Sequence, residues 1–232
     1  MSDTILLGVA WPYANGPLHL GHIAGAYLPP DIFARYHRAK GDRVLMVSGS
    51  DTHGTPITVR AEKEGRSPAD VVAEFHASFL QSWEQLGIGF DLFTTTGTEN
   101  HAQTTQEIFL RLLQRGHIYE DTMRLLYCNR ESRFLPDRYV EGSCPHCGYD
   151  GARGDQCDNC GRPLNALDLL NPRCKNCGDT PVPRDSRHFF LRLSAFNEPL
   201  KEWMKENGHW RRPVYSWTMG LLNEGLQDRA IT

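Results

Sequence analysis

No stretch of this 232-residue chain is apolar for long enough to cross a bilayer, which argues against a helical membrane span. The start, Met1-Ser2-Asp3-Thr4, has no basic region. The apolar run Ile5 to Ala10 is too short for a signal core and ends in Trp11-Pro12. Charge of one sign is not in excess either. Lys and Arg total 25 against 28 Asp and Glu, a formal net charge of -3, so nothing global advertises a nucleic-acid partner, although a local basic patch is still compatible with one. Internal repeats are missing apart from three C-x-x-C turns. These absences leave a cytosolic protein without a membrane partner as the expectation, and the chain is long enough for one large domain or two modest ones.

What is present reads first as α/β. Ile5 to Ala10 is a buried strand candidate, followed by a loop rich in Pro, Asn and Gly. A helix is predicted from about Leu20 to Ala39, with a kink or restart at Pro29-Pro30-Asp31. Arg43 to Ser48 reads as a second strand. Helices over Pro56–Glu64 and Pro68–Leu86 each carry Pro in the first turn. Strand, helix, strand at this spacing predicts a βαβ unit and a parallel sheet. Glu99 to Arg115 is amphipathic, with Ile108, Phe109 and Leu112 on one side and Gly116 as its stop. Residues 118–185 hold all seven cysteines among many Gly, Pro, Asp and Asn residues. That composition predicts sparse secondary structure held together by metal. A strand at Arg187–Leu193 and helices near Phe196–Glu206 and Val214–Leu226 follow, with no closing element before Thr232.

The loop Trp11-Pro12-Tyr13-Ala14-Asn15-Gly16-Pro17-Leu18-His19-Leu20-Gly21-His22 joins a strand to a helix start, the place where open parallel sheets bind ligands. A helix N-terminus offers N–H groups and partial positive charge to phosphate. Gly21 lets a nucleotide approach the backbone. His19 and His22, three apart, share a helical face and can donate hydrogen bonds to phosphate oxygens as charge builds. The plainer alternative is a pair of satisfied surface histidines. The segment Ser48 to Pro56 is a second strand-end loop on the same rim. Its Asp51 can accept from an ammonium group or act as a helix cap. Among the cysteines, Cys144, Cys147, Cys157 and Cys160 form two C-x-x-C-G turns separated by nine residues, a donor set for tetrahedral zinc with His146 outside it. A redox dithiol is the lesser alternative. Cys174 and Cys177 make a third turn without an obvious partner.

Taken over its whole length, Pro12 to His22 resembles the HIGH signature of class I aminoacyl-tRNA synthetases, in the Pro-Tyr-Ala-Asn-Gly form of the methionyl-tRNA synthetase family. Ser48 to Pro56 resembles that family's Gly-x-Asp-x-His-Gly-Thr-Pro segment. Phe134 to Arg138, the knuckles and Arg184-Asp185-Ser186 extend the likeness over essentially the whole chain; leucyl, isoleucyl and valyl enzymes lack Thr55 and carry a larger insertion.

The resemblance implies that Pro12, Asn15, Gly16, His19, Gly21 and His22 bind ATP. In it His19 and His22 are catalytic, while Ala10, Trp11, Tyr13 and Asp51 bind methionine, with Asp51 on the α-amino group and His53 fixing the loop. The implied reaction activates methionine with ATP and Mg²⁺ to methionyl-adenylate and passes it to tRNA(Met). The implied fold is the first half of a Rossmann-like parallel-sheet domain over residues 1–115. A zinc-knuckle connective-peptide insertion would follow over 116–232, near the tRNA acceptor end, with Arg133, Arg138, Arg153, Lys175, Arg184 and Arg187 as candidate RNA contacts. Two-zinc relatives complete the third knuckle with a C-x-x-C near Cys128. Here Glu131 stands where the fourth Cys would be, so Cys128, Cys174 and Cys177 are expected to form at most a second site, with Glu131 as a permitted ligand. A Lys-Met-Ser-Lys-Ser-like loop, the second signature of the class, does not occur, which implies an N-terminal portion inactive by itself. The contrasting reading is a zinc-ribbon RNA-binding or scaffold protein without catalysis, which would not need the ATP loop.

Overall fold

The computed structural model describes residues 2–232, and the chain divides into two compact units, Met1–Thr105 and Gln106–Thr232. In the first, β1 (Thr4–Gly8) alternates exposed and half-buried positions, so Leu7 turns to the core and Leu6 to solvent. One turn of helix, α1 (Leu20–His22), runs through a π-helical stretch (Ile23–Tyr27) into α2 (Leu28–Lys40). The irregularity predicted at Pro29-Pro30 thus lies one turn upstream. Proline supplies no N–H to the carbonyls four residues earlier, and the chain widens there so that the Leu28 N–H reaches the Ile23 carbonyl instead. Next come β2 (Arg43–Ser50), α3 (Thr55–Glu64), α4 (Pro68–Leu86) and β3 (Leu92–Thr95).

The three strands form a parallel sheet in the order β1-β2-β3. This is an α/β fold with a parallel sheet, as the strand and helix spacing predicts. Helix ends are where the sequence signals put them. Ser67 caps α4 by accepting from the Asp70 N–H at 3.1 Å, and α2, α3 and α4 end at Gly41, Gly65 and Gly87, all with positive φ. The apolar faces of α2, α3 and α4 close over the sheet through Ala34, Ile57, Val71, Phe75, Phe79 and Trp83, with Met46 and Tyr27 fully enclosed. Trp83 packs against Tyr27 with ring centroids 4.6 Å apart. The strand β3 was not foreseen: four residues are too few to display a period.

Helix α5 (Glu99–Gln114) begins in the first unit and ends in the second, and none of its residues is buried. After it the structure overturns the sparse secondary structure expected for residues 118–185. The strands are β4 (Ile118–Cys128), β5 (Arg133–Phe134), β6 (Val140–Ser143), β7 (Asp150–Arg153), β8 (Leu170–Cys174) and β9 (Val182–Leu191). Helices α6 (Asn197–Glu206) and α7 (Arg212–Glu224) and strand β10 (Arg229–Ala230) complete the unit.

β4 and β9 pair antiparallel over ten positions, in a sheet ordered β10-β9-β4-β5. The charged residues of 118–128 hide a strand former. Glu120, Asp121 and Arg124 face water; Glu120 and Arg124 meet opposite charges across the ladder in the Arg187–Glu120 and Arg124–Asp185 pairs, and Asp121 accepts the N–H of Thr122, while Ile118, Leu126 and Cys128 turn inward. β10 pairs with β9 and so supplies the closing element that was not expected. A second sheet, β7-β6-β8, carries the cysteine turns. Cys144, Cys157 and Cys174 are buried in this part of the chain, as are Val140 and Ala152, and Cys128 is buried at the end of β4, so sulfur makes up much of the little buried material here. Among the described residues no helix is long and apolar enough to cross a membrane.

Phe79→Ala tests the core directly. Phe79 is fully buried on α4, and its truncation is expected to lower stability by about 3–5 kcal/mol in a urea titration. A loss under about 1 kcal/mol would mean that α4 does not seat the first unit's core.

Candidate functional site

The parallel ladder between the first two strands does not stop at their ends. The Val9 N–H donates to the Val47 carbonyl at 2.9 Å, the Asp51 N–H to the Pro12 carbonyl at 2.8 Å, and the Ala14 N–H to the Asp51 carbonyl at 2.9 Å, so Tyr13 and Asp51 pair as one more parallel step. The hydroxyl of Ser48 donates to the Val9 carbonyl at 3.1 Å and lies 3.3 Å from the Ala10 carbonyl. Strand periodicity persists in the loop: Pro12 and Ala14 are buried, whereas Ala10, Trp11 and Tyr13 project outward. Trp11 lies across Gly49. A Cβ on Gly49 would stand 2.6 Å from the indole and 2.6 Å from the Thr94 carbonyl, so only glycine fits. The loop's far side is tied by Arg60, whose guanidinium donates to the Asn15 carbonyl at 2.9 Å, beside Gly16.

Beyond this anchor the two histidines lock each other. The His22 N–H lies 3.3 Å from His19 Nδ1, the His19 N–H lies 3.3 Å from His22 Nδ1, and the rings stack at 3.7 Å. This is a capping box made of imidazoles in place of Ser and Glu. Because both Nδ1 atoms accept, each neutral ring carries its proton on Nε2, away from the backbone. The site therefore presents two parallel N–H donors at the start of a helical segment. Gly21 has a local reason to be glycine: a Cβ there would come within 3.0 Å of the His19 ring. Burial, and then the neighbouring His19, hold the His22 imidazole below its ordinary range.

Asp51 does not cap the following helix. That position belongs to Gly54, at φ 111° and with no side-chain cap bond, beneath the Tyr13 ring. Instead the Asp51 carboxylate turns back on its own loop, with Oδ1 accepting the His53 N–H at 3.1 Å. Behind it sits Thr96, which nothing in the sequence singles out. Its hydroxyl accepts the Thr52 N–H at 2.9 Å and lies 3.0 Å from the Thr52 hydroxyl and 3.5 Å from Asp51 Oδ1, and its carbonyl lies 3.3 Å from His53 Nε2. Thr96 reaches this spot because its own N–H continues the β2–β3 pairing by donating to the Ser50 carbonyl at 3.1 Å. Finding it requires knowing that the four-residue strand before it exists.

In the second unit, Cys144, Cys147, Cys157 and Cys160 bring four sulfurs within 4.8 Å of one another, and Cys128, Cys174 and Cys177 bring three. In the first cluster the Cys147 thiol is pulled down to about 6, first by the Tyr149 N–H and then by the Asn159 amide. The Cys160 thiol, although the Arg162 N–H favours its ionisation, is pushed up to about 11 by burial and by its three thiol neighbours. Four thiolates this close repel one another unless a cation joins them. The donor set thus suits a soft divalent metal. Glu131 lies outside the three-sulfur group; its Oε2 is 2.8 Å from both Nε and a terminal nitrogen of Arg133.

Comparison with known proteins agrees with this layout. The family model described as tRNA synthetases class I (M) matches residues 5–232. A methionine–tRNA ligase of Dehalococcoides mccartyi is 62% identical over 232 residues, which is all of this chain and 42% of that protein. One from Thermomicrobium roseum is 55% identical, again over the whole chain and 40% of the relative. The chain therefore spans about 40% of the length of these curated relatives. In fold it is similar to the Mycobacterium tuberculosis methionyl-tRNA synthetase solved with methionyl-adenylate, with a TM-score of 0.73 at 23% identity, covering 99% of this chain and 40% of that one. With a family model matched from Ile5 to the last residue and whole-chain relatives well above half identical, this chain belongs to the class I tRNA synthetases of the methionine group.

Proposed function

We propose that the chain supplies the methionine pocket and one half of the ATP site of a methionine–tRNA ligase, which forms methionyl-adenylate from methionine and Mg²⁺-bound ATP and transfers the methionyl group to tRNA(Met). The observation that carries this reading is the backbone zipper between Pro12–Ala14 and Asp51. It keeps the histidine-bearing loop and the Asp51 loop on one rim of the sheet. His19 and His22 each aim an Nε2–H outward, and paired donors of this kind stabilise the charge that grows on an α-phosphate under carboxylate attack. Pro12, Asn15, Gly16 and Gly21 shape the loop around the nucleotide. Asp51, with one oxygen bound to its loop, receives the substrate ammonium. Exposed Trp11 and Tyr13, with Ala10, line the thioether side, where aromatic faces contact sulfur favourably. Residues 1–115 and 116–232 then correspond to the first half of the nucleotide-binding fold and a connective-peptide insertion.

Cys144, Cys147, Cys157 and Cys160 would hold Zn²⁺ in that insertion. A closed four-thiolate set leaves no coordination position for substrate, so the ion's contribution is to fasten two loops that have little apolar core of their own.

The deciding experiment is methionine-dependent exchange of pyrophosphate into ATP. A protein carrying this sequence at the full length of its relatives is expected to catalyse it, and His19→Ala, His22→Ala and Asp51→Ala are each expected to lower kcat/KM by about 10²–10³-fold. The 232-residue chain alone is expected to bind a methionyl-adenylate analogue without appreciable exchange. No exchange in the full-length protein together with no binding of the analogue would overturn the reading in favour of a non-catalytic zinc protein.

Thr96 offers a finer test. Thr96→Val removes the hydroxyl that holds the Asp51 loop from behind, and is expected to raise KM for methionine about tenfold with little change in KM for ATP. Thr96→Ser should restore it. Equal losses for both substrates would mean that Thr96 serves only the fold.

The histidine pair makes a prediction in pH. A folded-state pKa below the ordinary imidazole value of 6.5 means that the fold binds fewer protons than the unfolded chain in the window below that value. The pair's contribution to stability is then complete above the window and lost as pH falls through it. In an NMR titration His22 should protonate below the ordinary range. His19→Ala should move it part of the way back, because burial is the larger cause and remains. A His22 midpoint at the ordinary value would refute the stacked pair.

A further inference from the structure

Helix α4 backs both loops of the first unit's site, through adjacent residues. Phe75 is buried, and the Arg60 guanidinium lies 4.5 Å over its ring while donating to the Asn15 carbonyl of the histidine-bearing loop. His76 serves the other loop. Between the first turns of α4 and the end of the sheet there is a cavity of about 450 Å³, lined by Pro68, Ala69, Val72 and His76 on one side and by Thr52 and Thr95 on the other. Open space here leaves the Asp51 loop without close side-chain packing from α4.

His76 bridges that gap with a hydrogen bond. Its Nδ1 lies 2.8 Å from the Ser50 hydroxyl oxygen. Ser50 is the last residue of β2, is fully enclosed and directly precedes Asp51. Its carbonyl accepts the Thr96 N–H at 3.1 Å. The backbone of Ser50 is therefore tied towards β3 and its side chain towards α4. A buried hydroxyl that loses its partner costs its desolvation, so the bond resists displacement of the strand end. Phe93 steadies the imidazole, with ring centroids 5.8 Å apart and planes 20° from parallel. Burial holds the His76 imidazole below its ordinary range. A neutral ring can either accept from the hydroxyl or donate to it.

We propose that His76 is a positioning residue for methionine, which through Ser50 fixes the end of β2 and with it the Asp51 carboxylate that receives the substrate ammonium. The inference rests on the reading of this chain as part of a methionine–tRNA ligase. Its physical consequence is selectivity. Methionine depends on the loop that His76 holds, whereas ATP depends on the loop held by Arg60 and Phe75. A general loosening of α4 would weaken both substrates together. Loss of the His76–Ser50 bond weakens one.

The experiment uses a protein carrying this sequence at the full length of its relatives, with two readouts. Pyrophosphate exchange measures KM for each substrate. His76→Leu keeps an apolar group beside Phe93 and removes the bond. It is expected to raise KM for methionine about tenfold, with kcat and KM for ATP within about twofold. Ser50→Ala should do the same, and the double variant should be no worse than either single one, because each removes the same bond. His76→Asn places an amide where Nδ1 stands and should recover most of the loss. The second readout needs no activity. By hydrogen–deuterium exchange and mass spectrometry, both single variants should speed exchange in residues 49–54 and leave residues 78–86 of α4 unchanged. Equal losses for methionine and ATP, additive losses in the double variant, or unaltered exchange in residues 49–54 would overturn the proposal. An unsubstituted enzyme without methionine-dependent exchange would overturn the ligase reading and with it the role towards methionine. Deuterium exchange would then separately decide whether His76 holds the loop.

Discussion

Backbone pairing between residues 9–14 and 47–51 is the constraint on which the first unit's site depends. Loops beyond strand ends usually leave their peptide groups to water and move accordingly. Here the Pro12 carbonyl and the Ala14 N–H are both satisfied by Asp51, so the alternation of a strand persists through a segment whose sequence forbids a regular one. Trp11 and Tyr13 face out because Pro12 and Ala14 face in. Gly49 is bare because Trp11 must cross it, and Gly54 turns beneath Tyr13. The same pairing sets the position of Asp51, and through Thr96 it recruits the third strand as a support. A single register therefore orients residues that the sequence separates by about forty positions, a precondition for binding groups that must meet one small substrate.

The second unit solves a different problem with the same means. It has little apolar material around its cysteines, and a small sheet of short strands is marginal on that basis. The long β4–β9 ladder gives it a frame of backbone hydrogen bonds, and the turns at Cys128, Cys144 and Cys174 lie at the ends of β4, β6 and β8. Within the cysteine turns, cysteine N–H groups bond carbonyls five residues ahead, from Cys144 to Tyr149, Cys157 to Arg162 and Cys174 to Asp179, and the sulfurs gather in two clusters. The turn at Cys128 is closed by the pairing of Cys128 with Arg133, with Ser132 at φ 52° inside it.

Much of the first unit is legible in residues that act locally. Proline in the first turn and glycine after the last bracket the helices over 55–64 and 68–86, because the cost of a misplaced Pro or a left-handed non-Gly residue is paid within a few residues. The elements that escape are those whose stability comes from elsewhere. β3 is four residues long and exists because β2 offers it a parallel edge. β4 is charged enough to read as loop until its partner's charges are opposite it, and two-residue β10 is a strand only by virtue of β9. The helical break is displaced from its prolines because a missing N–H is felt by the carbonyl a turn earlier.

The sequence by itself determined the chemistry: two imidazoles three apart after a strand-end loop, a carboxylate in a second such loop, and thiols in pairs with glycine behind them. Those are statements about residue types and short spacings, which local backbone preferences control. Tertiary structure alone decided how each group is presented. It turned His19 and His22 into a mutual cap that leaves both Nε2 atoms outward, made Asp51 a loop-bound acceptor instead of a helix cap, brought Thr96 behind it, and tied Glu131 to Arg133 outside the three-sulfur group. Each of these arises from hydrogen bonds whose partner's place is set by the folded backbone, in pairings between strands or within closed turns, which no local preference records.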